Sequence, residues 1–399
     1  MRARIPPHAG RHRRGLLLVW GLLGIALLGL AGCALPRAAL SVRPTHSPPT
    51  LAAAAGEGMA LSVMQVGDKT FLATWNQRAI NLTILKGRRQ QRIVLPVRSF
   101  CASVGFLLSL PPDVGVAGCK SVWVARGGHW ERVPLPTGVV NGDGVSGRGG
   151  QWWALAIIDA ASGMGSEAVD LWATTTRGAS WTLAAKSRNA LSSTPRRAIP
   201  YGGDKSGLEA GPGHHLWLSG STGGAFYLYR STAGLATWTA VSAQGPKHGP
   251  HSWVMRSGTV METFPPLFVD NSLGYVPAPV AGPHDRLAIF VVTGPGWHTA
   301  TLRGLLPLGT TSSWRLAASR PQTLWVATAR SLYRSSTGGR TWQVTRTLPS
   351  PWSFVSISFS GSYGSVLAAL PQAAHHPGHF ALWVTTNGGK TWRAVQVNP

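Results

Sequence analysis

The chain has 399 residues and carries 37 Lys+Arg against 13 Asp+Glu, a formal net charge of +24. Its length ordinarily means two or three domains, and its basic balance favours anionic partners: headgroups, wall polymers or acidic proteins. Carboxylates are so sparse that chemistry needing paired acids has few residues to draw on, and a surface with few carboxylates suffers little when the outside pH falls.

The chain opens on Arg2, Arg4, Arg11, Arg13 and Arg14, followed by an uncharged apolar run from Gly15 to Leu30 and then Leu30-Ala-Gly-Cys33. This matches a bacterial lipobox: residues 1–32 read as a lipoprotein signal peptide and Cys33 as the lipid-bearing residue. An uncleaved anchor is the alternative, since Leu16–Leu35 is about long enough to span. Either reading places the remainder outside the cytoplasm, with the arginines inside. Residues 33–58, with Ser47-Pro-Pro49 and Ala52–Ala55, read as an extended tether. The expected propeller occupies 59–399.

Cys101 and Cys119 are the remaining cysteines. Their separation fits two neighbouring strands of one blade, and an oxidising compartment allows a disulfide; two separate buried thiols are the other reading. Two Cys at this spacing lack a zinc pattern.

From here on one cassette recurs about every 50 residues, the signature of a repeat architecture. It is clearest in Leu332-Tyr-Arg-Ser-Ser-Thr-Gly-Gly-Arg-Thr-Trp342 and Leu382-Trp-Val-Thr-Thr-Asn-Gly-Gly-Lys-Thr-Trp392. Leu171–Trp181 and Leu228–Trp238 are moderate copies, and Val122–Trp130 and Phe290–Trp297 weaker ones. A seventh, degenerate unit is expected at Phe71–Thr83. The alternating lead-in is a strand. Gly178, Gly338, Gly339, Gly388 and Gly389 supply the positive φ of a tight hairpin, and Ser or Thr ties the turn backbone. Trp130, Trp181, Trp238, Trp297, Trp342 and Trp392 open the next strand and fold back over the hairpin.

The cassette resembles the Asp-box, or bacterial neuraminidase repeat, Ser-x-Asp-x-Gly-x-Thr-Trp. Ser335, Gly339, Thr341 and Trp342 match it, as do Thr385, Gly389, Thr391 and Trp392, while the Asp position holds Thr337, Asn387, Thr176 and Ala233. The resemblance covers roughly Phe71 to Trp392 and implies an all-β propeller with one such hairpin per blade. Seven four-stranded blades are expected, with six or eight as alternatives, closed by pairing strands from both chain ends. Within that superfamily the organisation looks most like the photosystem II stability/assembly factor propellers, which implies a non-enzymatic exported protein.

The same resemblance raises sialidase chemistry, whose Arg-Ile-Pro signature is missing after residue 32. Glycosidases generally need two facing carboxyl groups, and the five Glu are Glu57, Glu131, Glu167, Glu209 and Glu262. Gly142-Asp-Gly-Val-Ser-Gly147 matches a dinucleotide fingerprint literally but sits in a glycine-rich loop, Asn141 to Gly150, rather than a βαβ unit. His214-His215 and His375-His376-x-x-His379 read as inter-strand loop histidines that titrate near pH 6–7. The Tyr-Arg pairs put Arg230 and Arg334 on alternating strand faces, either for structure or for an anion-binding patch. Arg126, Arg177, Arg340 and Lys390 flank the turns as an expected basic rim.

The reading is a monomeric, non-enzymatic surface lipoprotein, held to the membrane by its lipid. It needs no cofactor or metal and binds an anionic protein or envelope polymer, not nucleic acid, with a role in assembling or stabilising a membrane complex. Carbohydrate binding and glycoside hydrolysis are the alternatives.

Overall fold

The computed structural model describes residues 59–397 apart from 77–78, 98–104, 127, 140–143, 160–167, 188–197, 200–203, 223–224, 245–253, 256–257, 261–262, 282–283, 295–296, 298, 310–312 and 371–378. The expected signal, tether and Cys33 lie outside the described residues. Among those described, no helix is long and apolar enough to cross a membrane.

The chain folds into seven sheets taken in sequence order. Blade 1 holds β1 (Met59–Val66), β2 (Lys69–Trp75), β3 (Ala79–Lys86) and β4 (Arg89–Pro96). Blade 2 holds β5 (Leu107–Leu110), β6 (Asp113–Ala117), β7 (Ser121–Arg126) and β8 (His129–Pro134). Blade 3 holds β9 (Val145–Arg148), β10 (Gln151–Asp159), β11 (Ala168–Thr174) and β12 (Thr182–Ser187), with β13 (Ala198–Ile199) added parallel to β12. Blade 4 holds β14 (Asp204–Ala210), β15 (Leu216–Thr222), β16 (Ala225–Ser231) and β17 (Trp238–Ala240).

Blade 5 is less regular. β18 (Ser242–Gln244) lies parallel on its outer side, and β19 (Val254–Met255), β20 (Gly258–Val260) and β21 (Leu267–Phe268) make an interrupted inner edge. The body is β22 (Leu273–Ala281), β23 (Asp285–Thr293) and β24 (Thr299–Gly309). Blade 6 holds β25 (Trp314–Arg320), β26 (Thr323–Thr328), β27 (Ser331–Ser335) and β28 (Gln343–Thr347). Blade 7 holds β29 (Ser353–Ser360), β30 (Tyr363–Ala369), β31 (Phe380–Thr385) and β32 (Arg393–Val395). This is a seven-bladed β-propeller of antiparallel four-stranded blades.

The apolar side chains explain why the blades stack. Successive strand residues face opposite sides of a sheet, so each blade feeds two cores. Phe71, Ala73 and Trp75 of β2 pack with Val114 and Val116 of blade 2, while Leu72 turns the other way, onto Leu367 and Phe380 of blade 7. Seven such clusters lie between consecutive blades and complete a ring.

Six of the seven interfaces contain a cassette Trp. Trp130, Trp181, Trp238, Trp297, Trp342 and Trp392 each join the core between their own blade and the preceding one. The expected seventh unit is out of phase: Trp75 ends the second strand of blade 1, whereas the cassette turns join third and fourth strands. The interface between blades 7 and 1 therefore has no cassette Trp.

Closure also differs from the expectation. Blades 1 and 7 are each built from one continuous stretch, β1–β4 and β29–β32, and share no strand. A serine ladder takes the place of the shared sheet. The N–H groups of Val63, Gln65 and Gly67 donate to the hydroxyls of Ser356, Ser358 and Ser360 at 3.2, 2.9 and 3.1 Å. The partners rise together, so β1 and β29 run parallel. An edge strand presents unpaired N–H groups that need partners, and here the neighbouring blade supplies them. The device recurs: Leu107 N–H donates to Ser62 Oγ at 3.1 Å, and Ala210 N–H to Ser146 Oγ at 2.9 Å.

Candidate functional site: the turn face

In an antiparallel meander the first and third hairpins emerge at one end of the sheet. Backbone contacts show that these hairpins share one face of the disc. Gly338 N–H donates to Gln322 O at 2.8 Å and Gly388 N–H to Ser362 O at 2.7 Å, tying third turn to first within blades 6 and 7. Gly150 N–H donates to Pro111 O at 3.0 Å, tying blade 3 to blade 2. We call this the turn face.

The cassette turns are built from hydroxyl and amide groups. Ser335 Oγ accepts from Gly339 N–H at 2.9 Å, and Thr337 Oγ1 accepts from Thr341 N–H at 3.0 Å. Thr385 and Asn387 do the same for Gly389 and Thr391, and Thr174 and Thr176 for Gly178 and Ser180. Thus Thr or Asn at the would-be Asp position still supplies the acceptor. Blade 4, with Ala233 there, improvises: Thr232 Oγ1 accepts from Thr237 N–H at 3.1 Å, and Leu235 takes the left-handed backbone (φ 60) where the other copies have glycine.

Glycine is needed for a second reason. A Cβ on Gly389 would lie 2.1 Å from Trp325 of blade 6, and one on Gly178 would lie 2.3 Å from Val133 of blade 2. The turn glycine is where each hairpin seats against the preceding blade. Trp181 Nε1 completes that seat by donating to Pro134 O at 3.1 Å.

The expected basic rim divides. Arg340 and Lys390 are exposed. Arg126 and Arg177 are engaged between blades 2 and 3: Arg126 pairs with Glu131 at 2.9 Å and donates to Arg177 O, and Arg177 pairs with Asp113 at 3.3 Å. The structure places Arg230 and Arg334 opposite tryptophans. Arg230 is buried, directly across from Trp217, and the Arg334 guanidinium lies over Trp325 at 5.7 Å. The Arg334–Trp325 contact is a cation–π arrangement that strand alternation alone does not reveal.

Part of the glycine-rich stretch expected as loop is strand. Its Val145–Arg148 portion is β9, the inner strand of blade 3, and a Cβ on Gly147 would lie 2.7 Å from Trp152. His214 lies in a 3-10 turn between β14 and β15. His215 bonds Ser231 O through Nδ1 at 2.7 Å, and burial lowers its pKa from the ordinary histidine value. His375 and His376 lie outside the described residues; among those described, no group of three His, Cys, Asp or Glu could hold a metal. Cys119 is disulfide-bonded; Cys101 lies outside the described residues.

Near the turn-face end of β14, the first strand of blade 4, stands one of the five Glu. Glu209, near the end of β14, accepts from Ser146 Oγ at 3.3 Å. Arg148, at the end of β9, reaches over to Asn271 Oδ1 of blade 5 at 2.7 Å. Burial pushes the Glu209 carboxyl up to about 7, against the opposing pulls of Ser146 and Arg148. At neutral pH this carboxyl is therefore poised between hydrogen-bond donor and anion.

No family model matches the chain. It is 28% identical over 255 residues to a xyloglucanase of Paenibacillus sp, covering 54% of this chain and 22% of that one. Among solved structures it is similar to PorZ, a surface component of the type-IX secretion system of Porphyromonas gingivalis (TM-score 0.49, 12% identity, 86% of this chain and 39% of that one). It is also similar to the β-propeller domain of the Trilobed protease from Pyrococcus furiosus (TM-score 0.48, 7% identity, 86% and 100%). The chain thus spans well under half the length of the xyloglucanase and of PorZ.

Proposed function

We propose that this is an extracytoplasmic, non-enzymatic binding propeller, held to the membrane through Cys33, whose turn face captures an anionic macromolecule of the envelope and so assists assembly or stability of a complex there. The reading includes kinship with Asp-box propellers, and hydroxyl and amide acceptors at the Asp position of the cassette support it. The observation that carries the binding reading is the charge on this face. Lys69, Arg88, Arg89, Arg320, Arg340 and Lys390 are exposed there, while Asp68, Asp113 and Glu131 are taken up in ion pairs. A disulfide on Cys119 supports an oxidising compartment. Among the described residues the groups acting on Glu209 are Ser146 and Arg148, which favours binding over two-carboxylate hydrolysis.

The test is capture by the detergent-extracted full chain on immobilised anionic polymers and neutral glycans, eluted with salt. Retention on the anionic matrices and release by salt support the reading; indifference to them removes it. The xyloglucanase likeness favours glycan recognition as a second reading, and binding or hydrolysis of xyloglucan that ignores salt would replace the first.

A further inference from the structure

Blade 1 departs from blades 3, 4, 6 and 7 at one place on the turn face. In blades 3, 4, 6 and 7 the third strand ends on a hydroxyl, at Thr174, Ser231, Ser335 and Thr385. In blade 1 the third strand ends on Lys86, and a two-residue turn, Gly87-Arg88, replaces the longer cassette. Lys86 is paired directly with Lys69 on β2 and with Arg89 on β4. All three are exposed.

Directly paired residues lie on the same face of a sheet, and adjacent strands are about 5 Å apart. Lys69, Lys86 and Arg89 therefore form a row of cations across three strands, with Arg88 in the turn that joins the last two. Like charges placed directly opposite one another destabilise a sheet. Among the described residues this row has one counter-ion, Asp68, at 3.4 Å from Lys86, with both side chains about half exposed; such a pair contributes little. The arrangement costs stability in the free protein and is relieved by a ligand with regularly spaced negative charge.

We infer that the Lys69–Lys86–Arg89 row seats a linear phosphate polymer. The inference rests on the reading that this propeller binds an anionic macromolecule, and it assigns both the place and the chemistry. The row offers charge in steps of about 5 Å, Arg89 adds the forked donors that match phosphate oxygens, and the lysines act as point charges.

The test measures binding of fluorescent sodium polyphosphate to the detergent-extracted full chain. It compares the parent, the triple variant Lys69→Gln/Lys86→Gln/Arg89→Gln, and a control with equal charge loss on the same face, Arg320→Gln/Arg340→Gln/Lys390→Gln. The row variant should weaken binding at least tenfold, and the slope of log Kd against log salt should fall by about 2, near 0.7 per lost phosphate contact; the control, whose residues share the face but not the row, should weaken it severalfold less and lower the slope less. Equal losses in the two variants overturn the row and leave the broader reading standing. Polyglutamate held as tightly as polyphosphate overturns the phosphate assignment. A parent that holds neither polymer removes both. Without polymer, the row variant should melt at the same temperature or higher, and a drop would show the row to be structural.

Discussion

Gln65 N–H on the first strand of blade 1 donates to Ser358 Oγ on the first strand of blade 7 at 2.9 Å, across 293 residues of sequence. Ser356 and Ser360 repeat the contact two residues to either side. Replacing Ser358 by Ala leaves an edge N–H without its protein partner and should lower unfolding free energy by about 1 kcal/mol. The three-fold Ala variant should lose about 3 kcal/mol if the losses add. Urea denaturation of the single and triple variants checks this, and unchanged stability in the triple variant would mean that the apolar core between blades 7 and 1 closes the ring unaided.

The two glycines of the last cassette turn separate backbone strain from packing. Both have positive φ, 69 for Gly388 and 79 for Gly389. A Cβ on Gly388 meets nothing within 4 Å, whereas one on Gly389 lies 2.1 Å from Trp325. Gly388→Ala should cost about 1–2 kcal/mol, the left-handed penalty. Gly389→Ala should cost that plus about 1–3 kcal/mol of overpacking. Thermal melts of the two variants should therefore rank Gly389→Ala clearly lower.

Much of this could be read in the chain before folding. The Gly-Gly and Thr-Trp pattern is local, so it disclosed the hairpins, the repeat length and six of the tryptophans now found at six blade interfaces. What escaped depends on distant partners. The serine ladder joins segments with no common local pattern, and Phe71–Thr83 carries suitable residues on the wrong pair of strands. Arg230 and Arg334 alternate as surface residues would, yet the tryptophan opposite each decides its environment. Glu209 stands out only because Ser146 and Arg148 of the neighbouring blade fold over it.

Glu209 makes a pH prediction whose sign is opposite to that of an ordinary paired carboxylate. Its folded pKa is raised from 4.5 to about 7, so folding favours the protonated form. Its contribution is full below about pH 4.5, declines as pH rises through 4.5–7, and levels off above; the span is on the order of 3 kcal/mol. Glu209→Gln should match the parent at pH 4, exceed it at pH 8, and flatten the profile between. Parent stability that instead rises across this window, with no change in Glu209→Gln, would place the carboxyl in water. The same sign favours a domain still folded near pH 3, readable by circular dichroism, and unfolding by pH 4 would count against acid tolerance.

The most direct test of the function is the salt dependence of polyanion binding by the detergent-extracted full chain. Capture by exposed Lys and Arg on the turn face predicts a log Kd that rises linearly with log salt and an affinity that falls at least tenfold between about 50 and 200 mM. An affinity unchanged over that range, or tight binding confined to neutral glycans, would contradict it.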